Sequence, residues 1–155
     1  MKTGTTFLQG LMSANQTALA NAGYLFPGEK WVDQSRAVRD VMFHSEDPRT
    51  RALLDGQWDR IVEEIREHAG PASILSMEFL SYADEEQAAR IVESLDGLEV
   101  HIILTVRDAA SAIPGQWQTG CRNGRQITYP RLVRSVRALL NGQEPEWGAA
   151  KLFLR

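Results

Sequence analysis

A second cysteine is what this chain most plainly lacks. Cys121 stands alone, so no internal disulfide can staple the fold, and no His lies at a spacing that would make a metal site with it. A single thiol is consistent with a reducing compartment. No apolar run approaches the ~20 residues of a membrane-spanning helix, and the first residues lack the basic-then-apolar order of a signal peptide, so the cytoplasm is the expected location. Positive charge is also short. Lys and Arg number 17 against 20 Asp and Glu, a formal net charge of -3, where a protein gripping a nucleic-acid backbone ordinarily carries a basic excess. Neither nucleic acid nor a membrane is expected as a partner. Internal repeats, low-complexity tracts and linkers are absent as well.

What is present is ordinary for a globular protein: 155 residues, 43% hydrophobic and 24% charged. That length suits one domain, able to bury about two-thirds of its unfolded surface, and is short for two. The expectation is a single domain over 1–155. Charge is unevenly spread, with Arg122, Arg125, Arg131, Arg134 and Arg137 clustered late in the chain. Such a cluster reads either as a ligand-facing patch or as a solvated helix face.

Taken in order, Leu8, Leu11, Met12, Leu19 and Ala20 fall at helical spacing, predicting a helix over 5–22. Tyr24-Leu25-Phe26 reads as an edge strand or a packed loop. A second helix is expected over 34–43, ended by Ser45-Glu46-Asp47-Pro48. Leu53, Leu54, Trp58, Ile61, Val62 and Ile65 recur at threes and fours, predicting a further helix up to Gly70-Pro71. Ala72 to Met77 reads as a short buried strand with Glu78 at its carboxyl end. Asp84-Glu85-Glu86-Gln87 is a capping box opening a helix to Leu95.

Leu98 to Val106 is the most β-rich run and nearly continuously apolar, which favours a central parallel strand and a βαβ unit with the strand before it. Beyond it, a helix is expected from 109 with a kink or late start at Pro114, and another over 130–140. In that last helix Leu132, Val133, Val136, Leu139 and Leu140 are expected inside. The alternation of strand and helix makes the fold class α/β.

The stretch with chemistry in it is Lys2-Thr3-Gly4-Thr5-Thr6. A small-residue loop with one Lys and several hydroxyls, running at once into a helix, is how a backbone cradles an anion. Gly4 permits φ > 0, and the N–H groups of the first helical turn point outward at the positive end of the helix dipole. Alternatively the stretch is a frayed terminus with a Thr N-cap. The order differs from the nucleoside-triphosphate loop G-x-x-x-x-G-K-[ST], since the Lys precedes the Gly. At the carboxyl edge of an α/β sheet this loop, Glu78 and Arg107-Asp108 would converge, a set suited to transferring a charged group from a phosphate-bearing donor.

These residues resemble the sulfotransferases that use 3'-phosphoadenosine 5'-phosphosulfate (PAPS), in particular their bacterial branch. Lys2 to Gln9 is similar to the family's 5'-phosphosulfate loop, P-K-T-G-T-T-x-L-Q. Val106-Arg107-Asp108, followed by Ile113-Pro114 and Trp117-Gln118, is similar to its 3'-phosphate motif, and Ser76 to Leu80 to the intervening strand end. The resemblance implies a P-loop-like three-layer α/β/α fold with a mostly parallel sheet, here incomplete, with the first strand and the C-terminal part missing. It implies PAPS as co-substrate, no metal, and a small-molecule acceptor bearing a hydroxyl or amine.

The resemblance also implies roles. Lys2 would neutralise charge on the bridging oxygen of the departing 5'-phosphate, and Thr3, Gly4, Thr5 and Thr6 would hold the phosphosulfate through N–H groups and hydroxyls. Arg107 would meet the 3'-phosphate with its planar guanidinium. Gly115 stands where the family carries a Ser sharing that phosphate, a lost hydrogen bond of about 1.5 to 3 kcal/mol. For the base that takes the acceptor proton, Glu78 is the first candidate and His44 the second. Glu78 reads equally as a strand-end carboxylate capping the next turn, His44 as a loop histidine, and Asp108 as a helix cap.

The absent preceding strand, the missing second half of the family's domain and Gly115 keep a second reading open: a truncated or decayed, inactive relative serving at most as a binding or partner-dependent module, with Met1 also standing where the family has Pro. The sheet edge such a missing strand would leave is expected to promote self-association. A small P-loop kinase ranks third, lacking the G-K-[ST] order.

Overall fold

The computed structural model describes residues 4–43 and 47–145. Lys2, Thr3 and His44 lie outside the described residues. The described chain divides into two compact units, Gly4–Ile103 and the residues from Leu104 on.

The first unit is mainly helical and holds a two-stranded parallel sheet. Helices α1 (Thr5–Ala14) and α2 (Gln16–Asn21) replace the single helix expected over 5–22. Asn15 between them leaves helical geometry at φ -119°, and its side-chain amide donates to the carbonyl of Leu11 at 2.8 Å. A short amide side chain that bonds nearby backbone offers the chain an alternative to the helical ladder. The expected helix through 53–65 is likewise two: α4 (Pro48–Leu54) and α5 (Gln57–Glu67), broken by Gly56 at φ 72°. Asp47 caps α4 by accepting from the N–H of Thr50 at 3.0 Å.

Between the strand segments runs α3 (Trp31–Met42), longer at its start than expected, opened where Asp33 accepts from the N–H of Lys30 at 3.0 Å. Its apolar stripe meets that of α5, and Ala37, Val38, Val41 and Met42 bury against Trp58, Ile61, Val62 and Met77. Helix α6 (Glu85–Ser94) begins with the expected capping box: Gln87 N–H donates to Asp84 at 2.8 Å, and Asp84 N–H to the Gln87 side chain at 3.0 Å. Polar side chains tie the helices at their ends. Arg66 donates to the carbonyls of Ser94 and Asp96 at and just beyond the end of α6, and Gln87 to that of Met42 at the end of α3.

The sheet pairs β1 (Tyr24–Leu25) with β2 (Ala72–Ser73), Tyr24 opposite Ala72 and Leu25 opposite Ser73, and Ile74 N–H extends the ladder to Leu25 O at 2.7 Å. Of the two readings of 24–26, the strand is the observed one, and the crossover between the parallel strands is α3 to α5.

The central strand expected over 98–106 does not form. That stretch has no strand pairing, and Ile102 and Ile103 are 84% and 87% exposed. An apolar run becomes a parallel strand only where another strand's edge is there to pair with it, and among the described residues β2 pairs with β1 alone. The βαβ unit expected through α6 is therefore not made.

The second unit holds α7 (Ala109–Arg122) and α8 (Tyr129–Leu140). Helix α7 starts at Ala109 and carries Pro114 inside, so the later start at Pro114 is not found. Trp117 donates to the carbonyl of Ile127 at 2.8 Å and meets Tyr129 edge-on, fixing the turn between the helices. Leu132 and Ser135 are the buried positions of α8, whereas Val133 and Leu140, expected inside, are exposed. Arg131, Arg134 and Arg137 are on its exposed face.

Asp108 caps α7, as the sequence allows, accepting from Ser111 N–H at 2.8 Å. The Ser111 hydroxyl and then its N–H hold the Asp108 carboxyl below the usual carboxylate range. A lowered folded-state value adds stability that is present above the ordinary value of about 3.9 and is lost as pH falls through the folded one. Protection of the Ser111 amide against exchange is expected to persist through the ordinary carboxylate range and to fall only at more acid pH, and to be lost at neutral pH in Asp108→Ala.

Candidate functional site

Helix α1 opens on Gly4, which takes a left-handed conformation, φ 90° and ψ -1°. A glycine reaches it without the Cβ penalty any other residue would meet. The Gly4 carbonyl accepts from Phe7 N–H at 3.0 Å and Leu8 N–H at 3.3 Å. The N–H groups of Thr5 and Thr6 precede these first helical bonds, so no intrahelical carbonyl is within their reach. No acidic residue stands in the first turn to complement the positive end of the helix.

The complement comes from far along the chain. After β2 the backbone passes through buried Met77 and enters a 3₁₀ turn, Glu78–Tyr82, with Glu78 first. There the Thr5 hydroxyl donates to a Glu78 carboxylate oxygen, a contact between residues 73 apart. One helical turn on, the Gln9 side chain, buried, donates to the carbonyl of Ser76 at 3.0 Å and to its hydroxyl at 3.3 Å. Thr5 and Gln9, four apart, share the face of α1 that meets the 76–78 segment.

The segment is held from its other side by α3. Gln34 accepts from Ser76 N–H and donates to Pro27 O, both at 2.9 Å. Beside Pro27, the N–H of Gly28 donates to the Glu64 carboxylate at 2.6 Å, and Gln16 from α2 donates to the Gly28 carbonyl at 2.8 Å.

Of the residues the sequence nominates, the structure brings together Gly4, Thr5 and Glu78, with Thr6 exposed next to them. Arg107 and Gly115 belong to the other unit: Arg107 is exposed just before the α7 cap, and Gly115 lies within α7, its carbonyl accepting from the Thr119 hydroxyl at 3.1 Å. Lys2, Thr3 and His44 are outside the described residues.

Gln9 and Gln34 carry much of the geometry, and the sequence pattern assigns neither of them a role. A signal for Gln34 was available. It precedes Ala37, Val38 and Val41 by three, four and seven residues, so a carboxamide stands on a stripe that is otherwise apolar. Among the described residues, no group of three or more His, Cys, Asp and Glu side chains is arranged to hold a metal, and no helix is long and apolar enough to cross a membrane.

Comparison with protein-family models gives no match, and comparisons with curated proteins and with solved structures give none either. The resemblance to the sulfotransferases thus rests on the motif residues themselves.

Chemically, the described part of the site sets outward N–H groups and the Thr6 hydroxyl at a positive helix end, with the Glu78 carboxylate, holding the Thr5 hydroxyl, at the edge. The first group suits phosphate or sulfate oxygens. The carboxylate suits a proton arriving from a hydroxyl or amine.

Proposed function

We propose that this chain is a PAPS-dependent sulfotransferase, moving a sulfuryl group to a hydroxyl or amine of a small-molecule acceptor in the cytoplasm. Its fold in this reading is a version of the P-loop-like three-layer α/β/α arrangement, of which β1 and β2 are the parallel core. The observation that carries the reading is the meeting of Thr5, on the Lys2-to-Thr6 loop, with Glu78, the first-choice base. Nothing in local sequence requires those two residues to be neighbours. An anion loop beside a carboxylate is what in-line transfer to a protic acceptor needs.

In this mechanism the acceptor oxygen or nitrogen attacks sulfur as its proton passes to Glu78. The bond from sulfur to the bridging oxygen breaks, and its electron pair goes to the departing 5'-phosphate. Lys2 neutralises that charge, and the N–H groups of Thr5 and Thr6 with the Thr6 hydroxyl hold the non-bridging oxygens, the Thr5 hydroxyl proton being given to Glu78. For the 3'-phosphate the motif nominates Arg107. The protein's contribution is position and fixed charge, since the transition state is spread over oxygens that need only to be held.

The same Thr5 to Glu78 contact also favours a second reading. A carboxylate at a helix N-terminus stabilises the helix by itself, and an inactive relative could keep Glu78 for that alone. Incubation with PAPS and a panel of phenols, alcohols and amines separates the two. The first reading expects acceptor-dependent release of 3'-phosphoadenosine 5'-phosphate, and release at the rate of a protein-free control across the panel speaks for the second.

A further inference from the structure

A buried carboxamide on an apolar helix stripe is costly unless both of its ends are bonded. Gln34 is fully buried, and both ends are used, on Pro27 O and on Ser76 N–H. The Ser76 carbonyl is taken by Gln9 on the opposite side. One peptide segment is thus gripped at its N–H from α3 and at its C=O from α1, two residues before Glu78.

We propose that Gln34 is a positioning residue that sets Glu78 against Thr5 by fixing the backbone of Ser76. Among the described residues Gln34 makes no hydrogen bond to Thr5 or Glu78; its partners are Pro27 O and Ser76 N–H, so it acts through Ser76 and, across that peptide, Gln9. Fully satisfied buried polar networks of this kind specify one geometry among several that apolar packing alone would accept. Met would fill the same volume on α3 with no donor or acceptor, and the 76–78 turn would lose the partner of its N–H. The inference deepens the proposed function and rests on it only for calling Glu78 a base; the positioning itself is a property of the fold.

The test is a double-mutant cycle between Thr5→Val and Glu78→Ala, read from denaturant unfolding, in the unaltered chain and in two Gln34 variants. In the unaltered chain the two changes are expected to couple by about fivefold in the unfolding equilibrium constant. In Gln34→Met the coupling falls to about unity. In Gln34→Glu it persists, because a carboxylate oxygen still accepts from Ser76 N–H, even though the buried charge destabilises the chain.

A merely structural Gln34 would lower stability in both variants and leave the coupling in both. Coupling retained in Gln34→Met, or absent in the unaltered chain, overturns the proposal. Amide exchange in the unaltered chain provides a second measurement that needs no variant to fold. Ser76 N–H protected as well as Ile74 N–H supports the assignment, and exchange at the rate of an open loop overturns it. Failure of the chain to bind 3'-phosphoadenosine 5'-phosphate would instead strike the sulfotransferase reading and leave these results standing.

Discussion

Glu78→Gln is expected to lower acceptor-dependent release of 3'-phosphoadenosine 5'-phosphate by about 10²- to 10⁴-fold, the usual contribution of a positioned general base. The amide keeps an oxygen that can accept from the Thr5 hydroxyl, so the contact that orients residue 78 survives. What disappears is the ability to take the acceptor proton. Affinity for the nucleotide should hold or rise slightly, because a negative charge is removed from beside an anion site. Steady-state kinetics with calorimetry on the same variant checks both. Turnover unchanged in Glu78→Gln would make Glu78 a helix cap and move the base elsewhere, with His44 next to be replaced.

Trp58→Ala should be the most damaging single change to the fold, costing about 3–5 kcal/mol of unfolding free energy. Trp58 is 5% exposed and packs among Ala37, Val38, Ile61 and Val62, where α3 and α5 meet. Its indole N–H donates to the Ser94 hydroxyl at 3.0 Å, tying α5 to the end of α6. Truncation leaves a cavity and removes that tie together. Against the 5–15 kcal/mol typical of whole domains, such a loss brings the first unit close to its unfolding midpoint. Urea unfolding followed by far-ultraviolet circular dichroism measures it. A loss under about 1 kcal/mol would mean that the α3–α5 seam is not the core.

The features legible in the sequence are those with a local cause. Asp84 and Gln87 form their reciprocal cap because both partners lie within one turn. Asp108 caps α7 for the same reason. Gly4 takes the left-handed conformation that its place before a helix suggests. Boundaries are hidden where apolar spacing carries on through a break: Leu54 and Trp58 continue one periodic pattern across Gly56, yet its φ of 72° separates α4 from α5. The stretch from Leu98 to Val106 shows a different limit. Its β-branched run states a preference, but a parallel strand exists only if another strand's edge is beside it, and among the described residues β2 has β1 alone.

The site divides in the same way. Thr5 and Glu78 could be nominated separately, each from its place at the end of an element. Their meeting depends on how α1 packs against the 76–78 segment, and that is set by Gln9 and Gln34, whose spacing marks a polar residue on a buried face but not its partner.

Calorimetric titration of the chain with 3'-phosphoadenosine 5'-phosphate tests the central claim most directly, with Lys2→Ala and Arg107→Ala alongside. The account predicts binding in the micromolar range, about -8 kcal/mol, abolished in Lys2→Ala and in Arg107→Ala. No binding by a chain that circular dichroism shows to be folded would contradict it, and would leave the Thr5 to Glu78 contact as a structural cap.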